Sequence, residues 1–177
     1  PVGQDVVDRK TADQVLTING ASIPCELREI VISGDKGKRF CLLQYSNRTP
    51  PYSLKSLTTA IGPDGKAQLA STQVEAVALE MPYKVGAEIK STSFVKTVHA
   101  RGSEGSTVTL EVHCADVPGG VVAHTSREAD GQGRLTRRTT VELLEYNPGP
   151  NDDAAGARRR LFHRSRTRPP GAPERPQ

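Results

Sequence analysis

The sequence predicts an all-β protein. The expected fold is an antiparallel meander of two tandem copies of a four-to-five-strand unit, arranged as a sandwich, a barrel or a curved half-barrel and followed by a disordered basic tail. Three observations lead there. Apolar and polar residues alternate with period two, as in Val108, Leu110, Val112 and Cys114 against Thr107, Thr109, Glu111 and His113, the spacing that sends neighbouring side chains to opposite faces of a strand. Turn signals punctuate these runs: Asn19-Gly20, Gly34 and Gly37, Asp64-Gly65, Gly102 and Gly105, Gly131 and Gly133. Such residues supply the positive φ of tight hairpins. Helical spacing is nowhere sustained over the roughly 10–12 residues a helix needs.

Residues 1–14 form an N-terminal segment, within which 6–16 fits either a short helix or an edge strand. Two β units follow, 15–80 and 81–146, aligned at an offset of 67–68 residues. Leu27 then meets Val95 and Ile30 meets Val98. The turn at Gly34 and Gly37 meets that at Gly102 and Gly105, and Thr49-Pro50-Pro51 meets Asp116-Val117-Pro118. Each copy closes on an apolar strand, at 74–79 and at 141–146. Folding back about Gly34 and Gly37 places Ile30 opposite Cys41. The same operation at Gly102 and Gly105 places Lys96 opposite Glu111 and Val95 opposite Val112. Around Gly131 it places Arg138 opposite Thr125 and Arg137 opposite Ser126. The face carrying Leu110 is expected to be core and the face carrying Thr109 to be open.

The tail is residues 147–177, opened by Asn147-Pro148-Gly149-Pro150 and too rich in Arg, Pro, Ala and Gly to pack a core. It holds seven Arg against three acids, which leaves 17 basic and 17 acidic residues in 1–146. The net charge of +4 therefore belongs to the tail. A nucleic-acid or anionic-surface partner is expected only through it, at Arg158, Arg159, Arg160, Arg164, Arg166 and Arg168. No apolar run approaches the ~18–20 residues of a membrane helix, so no transmembrane segment is expected.

Three cysteines are too few for a disulfide framework, and Cys25 and Cys41 do not fall opposite each other. Small buried thiols are the expected reading. His113, Cys114 and Asp116 form the one grouping with the composition of a reactive thiol site. Strand alternation should separate His113 from Cys114. The histidines at 99, 113 and 124 lack ligand-type spacing, so neither metal nor other cofactor is expected. Arg127, Arg134, Arg137 and Arg138 gather around the Gly131 hairpin, where they could hold an anionic head group or phosphate as a ligand-binding rim.

The stretch Cys114-Ala115-Asp116-Val117-Pro118-Gly119-Gly120-Val121-Val122 resembles a motif of exported bacterial β-sheet proteins, a strand followed by Asp-Val-Pro-Gly-Gly and a β-branched strand. The likeness runs over about residues 88–146. In the first unit only Pro51 of the motif is kept, with Tyr52 and Ser53 in place of the glycines. The general look is similar to the curved half-barrels of lipoprotein carriers. The resemblance implies an extracytoplasmic protein, periplasmic or secreted, and brings no catalytic residue with it. The expected function is non-catalytic binding or interaction, with a hydrophobic or amphipathic small molecule or another protein as partner. An anion or nucleic-acid binder acting through the tail and the arginine hairpin is the alternative, and a Cys-dependent enzyme the third reading.

Overall fold

The computed structural model describes residues 5–65 and 68–144. They form nine strands: β1 (Asp5–Ile18), β2 (Ala21–Gly34), β3 (Gly37–Tyr45), β4 (Ser53–Ile61), β5 (Gln68–Val85), β6 (Glu88–Ala100), β7 (Gly105–His113), β8 (Val121–Asp130) and β9 (Leu135–Glu142). All nine belong to one antiparallel sheet whose spatial order is the chain order. β1 and β9 are its two edges and do not pair with each other. The sandwich and the closed barrel are therefore excluded. The segment 6–16 is an edge strand, not a helix.

Each junction follows from local chemistry. Asn19 (φ 47) and Gly20 (φ 82) both lie in the left-handed region, as a two-residue hairpin turn between β1 and β2 requires. Gly37 and Gly105 open β3 and β7 with φ of 111 and 122, and a Cβ on either would collide with a carbonyl oxygen, of Ile61 and of Ala129 respectively. Both hairpins can thus close only on glycine. The starts of β2, β3 and β4 at 21, 37 and 53 recur in β6, β7 and β8 at 88, 105 and 121. The expected boundary between residues 80 and 81 falls inside β5, at a register shift between Ala78 and Met81.

Register decides which side chains share a face. Ile30 does pair with Cys41. The other two expected registers are corrected. Lys96 pairs with Leu110, and Val95 with Glu111, one residue away from expectation. A 3-10 turn at Gly102–Glu104 takes up an extra residue, closed by the Arg101 N–H on the Gly105 carbonyl at 2.9 Å. Arg138 pairs with Arg127, and Arg137 with Glu128. There the turn is centred later, with the Asp130 N–H donating to the Arg134 carbonyl at 3.0 Å.

One row of paired residues crosses the whole sheet: Arg9, Glu29, Leu42, Leu57, Gln73, Val98, Val108, Arg127 and Arg138. Paired residues point the same way, so this row defines a first face. Leu42 (48% exposed), Leu57 (46%) and Leu110 (41%) stand open on it. The expectation that Leu110 is core is overturned: the alternation is right and Val112 two residues on is buried, but among the described residues no second layer covers Leu42, Leu57 and Leu110. The second face carries Ile30, Cys41, Thr58, Thr72, Thr107 and Glu128, all half-buried.

The buried side chains gather in two clusters. Ile18, Ile23, Cys25, Leu54, Ala76 and Leu79 form the first, with Leu16 against it. Here the tip of the β1–β2 hairpin overhangs β3 and reaches β5, with Asn19 Nδ2 lying 3.7 Å from Met81 Sδ. Val85, Val112, Cys114, Val117 and Val122 form the second, flanked by Tyr83 and Phe94, whose rings meet edge to face at 6.2 Å. The Asp116-Val117-Pro118-Gly119-Gly120 loop serves this cluster. It folds on itself through Cys114 N–H to Gly120 carbonyl (2.7 Å) and Gly120 N–H to Val117 carbonyl (2.9 Å), and drives Val117 inward. Edge β1 is charged along its length, with Arg9 on Glu29 at 2.7 Å and Arg28 on Asp8 at 3.0 Å, which discourages unwanted strand pairing.

Candidate ligand-binding face and cleft

The β8–β9 hairpin divides the four arginines into three environments. Arg127 and Arg138 are direct cross-strand partners on the first face, and neither has an acidic partner among the described residues. Arg137 lies on the second face, 3.9 Å from Glu128. Arg134 sits in the turn, its Nε 2.9 Å from Asp130 Oδ2. The backbone N–H of Arg134, with its guanidinium and the N–H of Gln132, holds the Asp130 carboxyl below its ordinary range against the push of burial. Arg134 and Arg137 are thus occupied, while Arg127 and Arg138 are exposed and uncompensated. Two like charges opposite each other destabilise a strand pair, and an anion between them relieves the repulsion while accepting charge-assisted hydrogen bonds. Running from this pair on the same row are Val108, Val98 and, beyond Gln73, Leu57 and Leu42.

A separate cleft of about 580 Å³ opens between three segments: the β3–β4 loop (Arg48, Thr49, Pro50, Pro51, Tyr52), β5 and β6 (Glu80, Ser91, Thr92, Ser93), and the end of β7 with its loop (His113, Cys114, Ala115, Asp116, Gly120). Its walls are fixed by short bonds. Thr92 Oγ1 donates to the Met81 carbonyl at 2.8 Å, Ser93 Oγ to the Pro50 carbonyl at 3.3 Å, and the Ser46 N–H to the Tyr52 carbonyl at 2.8 Å. The Pro50–Pro51 peptide is cis. Tyr52 has φ 61 and is 48% exposed. In the loop after β7 positive φ is taken by Gly119 (φ 84) and Gly120 (φ 75). Holding a bulky residue there costs on the order of 1–3 kcal/mol.

His113, Cys114 and Asp116 all touch this cleft. β7 ends at His113, and the two neighbours differ as alternation leads one to expect: His113 is half-buried and Cys114 buried. Proximity does not make a catalytic pair. Cys114 is 1% exposed within the second cluster. The His113 imidazole is committed to Glu111, Nε2 to Oε2 at 3.1 Å, and His124 Nδ1 takes the other oxygen at 3.2 Å. Burial pushes the Glu111 carboxyl up, but the hydrogen bonds from His124 and His113 outweigh it and hold it below its ordinary value. Cys25, Cys41 and Cys114 are free thiols, and burial pushes that of Cys25 up. Among the described residues no three His, Cys, Asp or Glu side chains converge as a metal site. No described helix is long and apolar enough to cross a membrane. The tail arginines from Arg158 to Arg168 lie outside the described residues.

Comparison with family models, curated proteins and solved structures finds no match. The chain is read from its own residues alone. Sequence reasoning missed Arg48, Tyr52 and Glu80 as cleft residues. A signal was present at Tyr52, an aromatic residue directly after Pro50-Pro51 in a strand connection. Glu80 carried none, since its φ of 55 follows from the irregular pairing of β5 with β6.

Proposed function

We propose that the protein is a non-catalytic, exported binding protein that takes an amphipathic ligand with an anionic head group on the first face of its sheet. The observation that carries this reading is the row on which exposed Leu42, Leu57 and Val108 lie in register with the uncompensated Arg127–Arg138 pair. Strands are spaced about 4.8 Å apart, so the row from β4 to β9 spans roughly 24 Å of arc, room for an extended hydrocarbon body and a head group. Exposed apolar side chains ordered into a stripe mark interaction surfaces, whereas isolated ones need no explanation. Export rests on the resemblance of the Asp116-Val117-Pro118-Gly119-Gly120 loop to exported β-sheet proteins. The same reading takes the chain as two tandem copies of one unit, supported by the recurring strand starts and by the equivalent glycines 37 and 105.

The first experiment is native mass spectrometry of protein purified without denaturation, followed by fluorescence titration with an anilinonaphthalene sulfonate dye and displacement by oleate. Arg127→Glu and Arg138→Glu should each weaken oleate binding by about 10–100-fold, the value of a charge-assisted hydrogen bond of roughly 1.5–3 kcal/mol. A bare mass together with oleate displacement indifferent to both substitutions would refute the reading.

A further inference from the structure

We propose that the cleft between the β3–β4 loop, β5–β6 and the β7–β8 loop is a carbohydrate site, built for a neutral sugar that stacks on Tyr52. The proposal rests on the cleft and not on the first face, so it stands or falls separately from the reading above.

Four observations carry it. The cleft, at about 580 Å³, is of ligand-site size. Among the described residues only Asn19, Tyr52 and Glu80 are non-glycines with positive φ, and two of these three line this one cleft. Strained backbone persists where the surrounding structure and a function require it. Glycine takes positive φ in the loop after β7, so backbone geometry does not select tyrosine at 52. Tyr52 is half-exposed where it lines the cleft, so its phenol offers a flat apolar surface carrying one hydroxyl.

The remaining lining identifies the ligand class. Glu80 and Asp116 accept hydrogen bonds, and Arg48 donates them without an acidic partner among the described residues. Ser91 does both. Asp116 is 3.9 Å from Lys90 Nζ and so is already partly balanced. Two carboxylates discourage an anion, and Arg48 discourages a cation. A neutral ligand with many hydroxyls satisfies acceptor and donor walls together, because each hydroxyl offers one donor and two lone pairs. A pyranose adds a face of C–H bonds, the partially positive edge that the negative face of an aromatic ring attracts. His113, also in the lining, has its Nε2 held by Glu111 at 3.1 Å.

The test applies the full chain to a printed array of neutral oligosaccharides and follows the strongest signal by calorimetry. A retained neutral glycan is expected. Tyr52→Gly and Tyr52→Ala should weaken it by up to about tenfold, the scale of one lost stacking contact, and Tyr52→Phe should keep it. Tyr52→Gly should also leave the thermal midpoint unchanged or raise it, because glycine relieves the positive φ. That result separates loss of the platform from loss of the fold. Glu80→Gln and Asp116→Asn should weaken binding further. Retention of no neutral glycan above background overturns the proposal. So does a preference for acidic glycans, or affinity unmoved by Tyr52→Gly.

Discussion

Leu54 and Leu110 are the same residue type in one sheet, yet truncating Leu54 should cost about twice as much as truncating Leu110. Leu54 is fully buried at the start of β4, enclosed by Ile23, Cys25, Ala76 and Leu79. Leu54→Ala removes the transfer energy of its side chain and leaves a void that an interlocked cluster closes poorly, together about 2–5 kcal/mol. For a domain of this size each kcal/mol moves the melting midpoint by about 2–4 °C, so the fall should be roughly 4–20 °C. Leu110 is 41% exposed on the first face. Full burial of a leucine is worth about 1.5–3 kcal/mol, and the covered three-fifths of that is roughly 1–2 kcal/mol. No cavity penalty is added, because solvent enters the space. Urea unfolding of the two variants at matched protein concentration measures both quantities. Equal losses would refute the reasoning, since they would mean that the first face is covered in solution and that its apolar row is core, not binding surface.

Gly105→Ala should destabilise by more than about 1 kcal/mol, because the new Cβ meets the Ala129 carbonyl oxygen at φ 122; a midpoint within error of wild type would count against the hairpin geometry. Arg127→Glu should raise stability by up to about 1 kcal/mol, since it converts a like-charge cross-strand pair with Arg138 into an ion pair; urea titration reads this, and a destabilised variant would show that the two guanidiniums do not face each other. The depressed pKa of Glu111 contributes stability that is fully present above the carboxylate's unfolded value and is lost as pH falls through the folded value. Glu111→Gln should therefore flatten the decline of the thermal midpoint below about pH 4.3, and an unchanged acid limb would remove the two histidines from the account.

Strand type and turn placement were legible because they are local. Positive-φ residues mark hairpins, and period two marks strands. The register at Ile30–Cys41 was legible for the same reason, since Gly34 and Gly37 close on each other with only two residues between them. The β6–β7 register was not, because Arg101 to Gly105 form a five-residue connection with a 3-10 turn, and nothing in that stretch distinguishes it from a two-residue loop. The error was a single residue. With a side-chain period of two, that is enough to put Lys96 against Leu110 in place of Glu111.

The inverted face has a deeper cause. Assigning Leu110 to the core assumed that an apolar face must be covered, which holds for domains built of two packed layers. This sheet has one layer. Its dry contacts are made where long strands overhang their neighbours, at the β1–β2 tip and around Val117. Such contacts depend on where each strand outruns its partner, a non-local property that alternation does not encode. The low apolar content, 35% of the chain, is what a single-layer sheet can accommodate. Leaving Leu42, Leu57 and Val108 in water is unfavourable by the same physics that folds the protein. The Arg127–Arg138 pair is unfavourable by a second, independent physics. Both penalties lie on one face and one row, and a single bound molecule with an apolar body and an anionic head would relieve both.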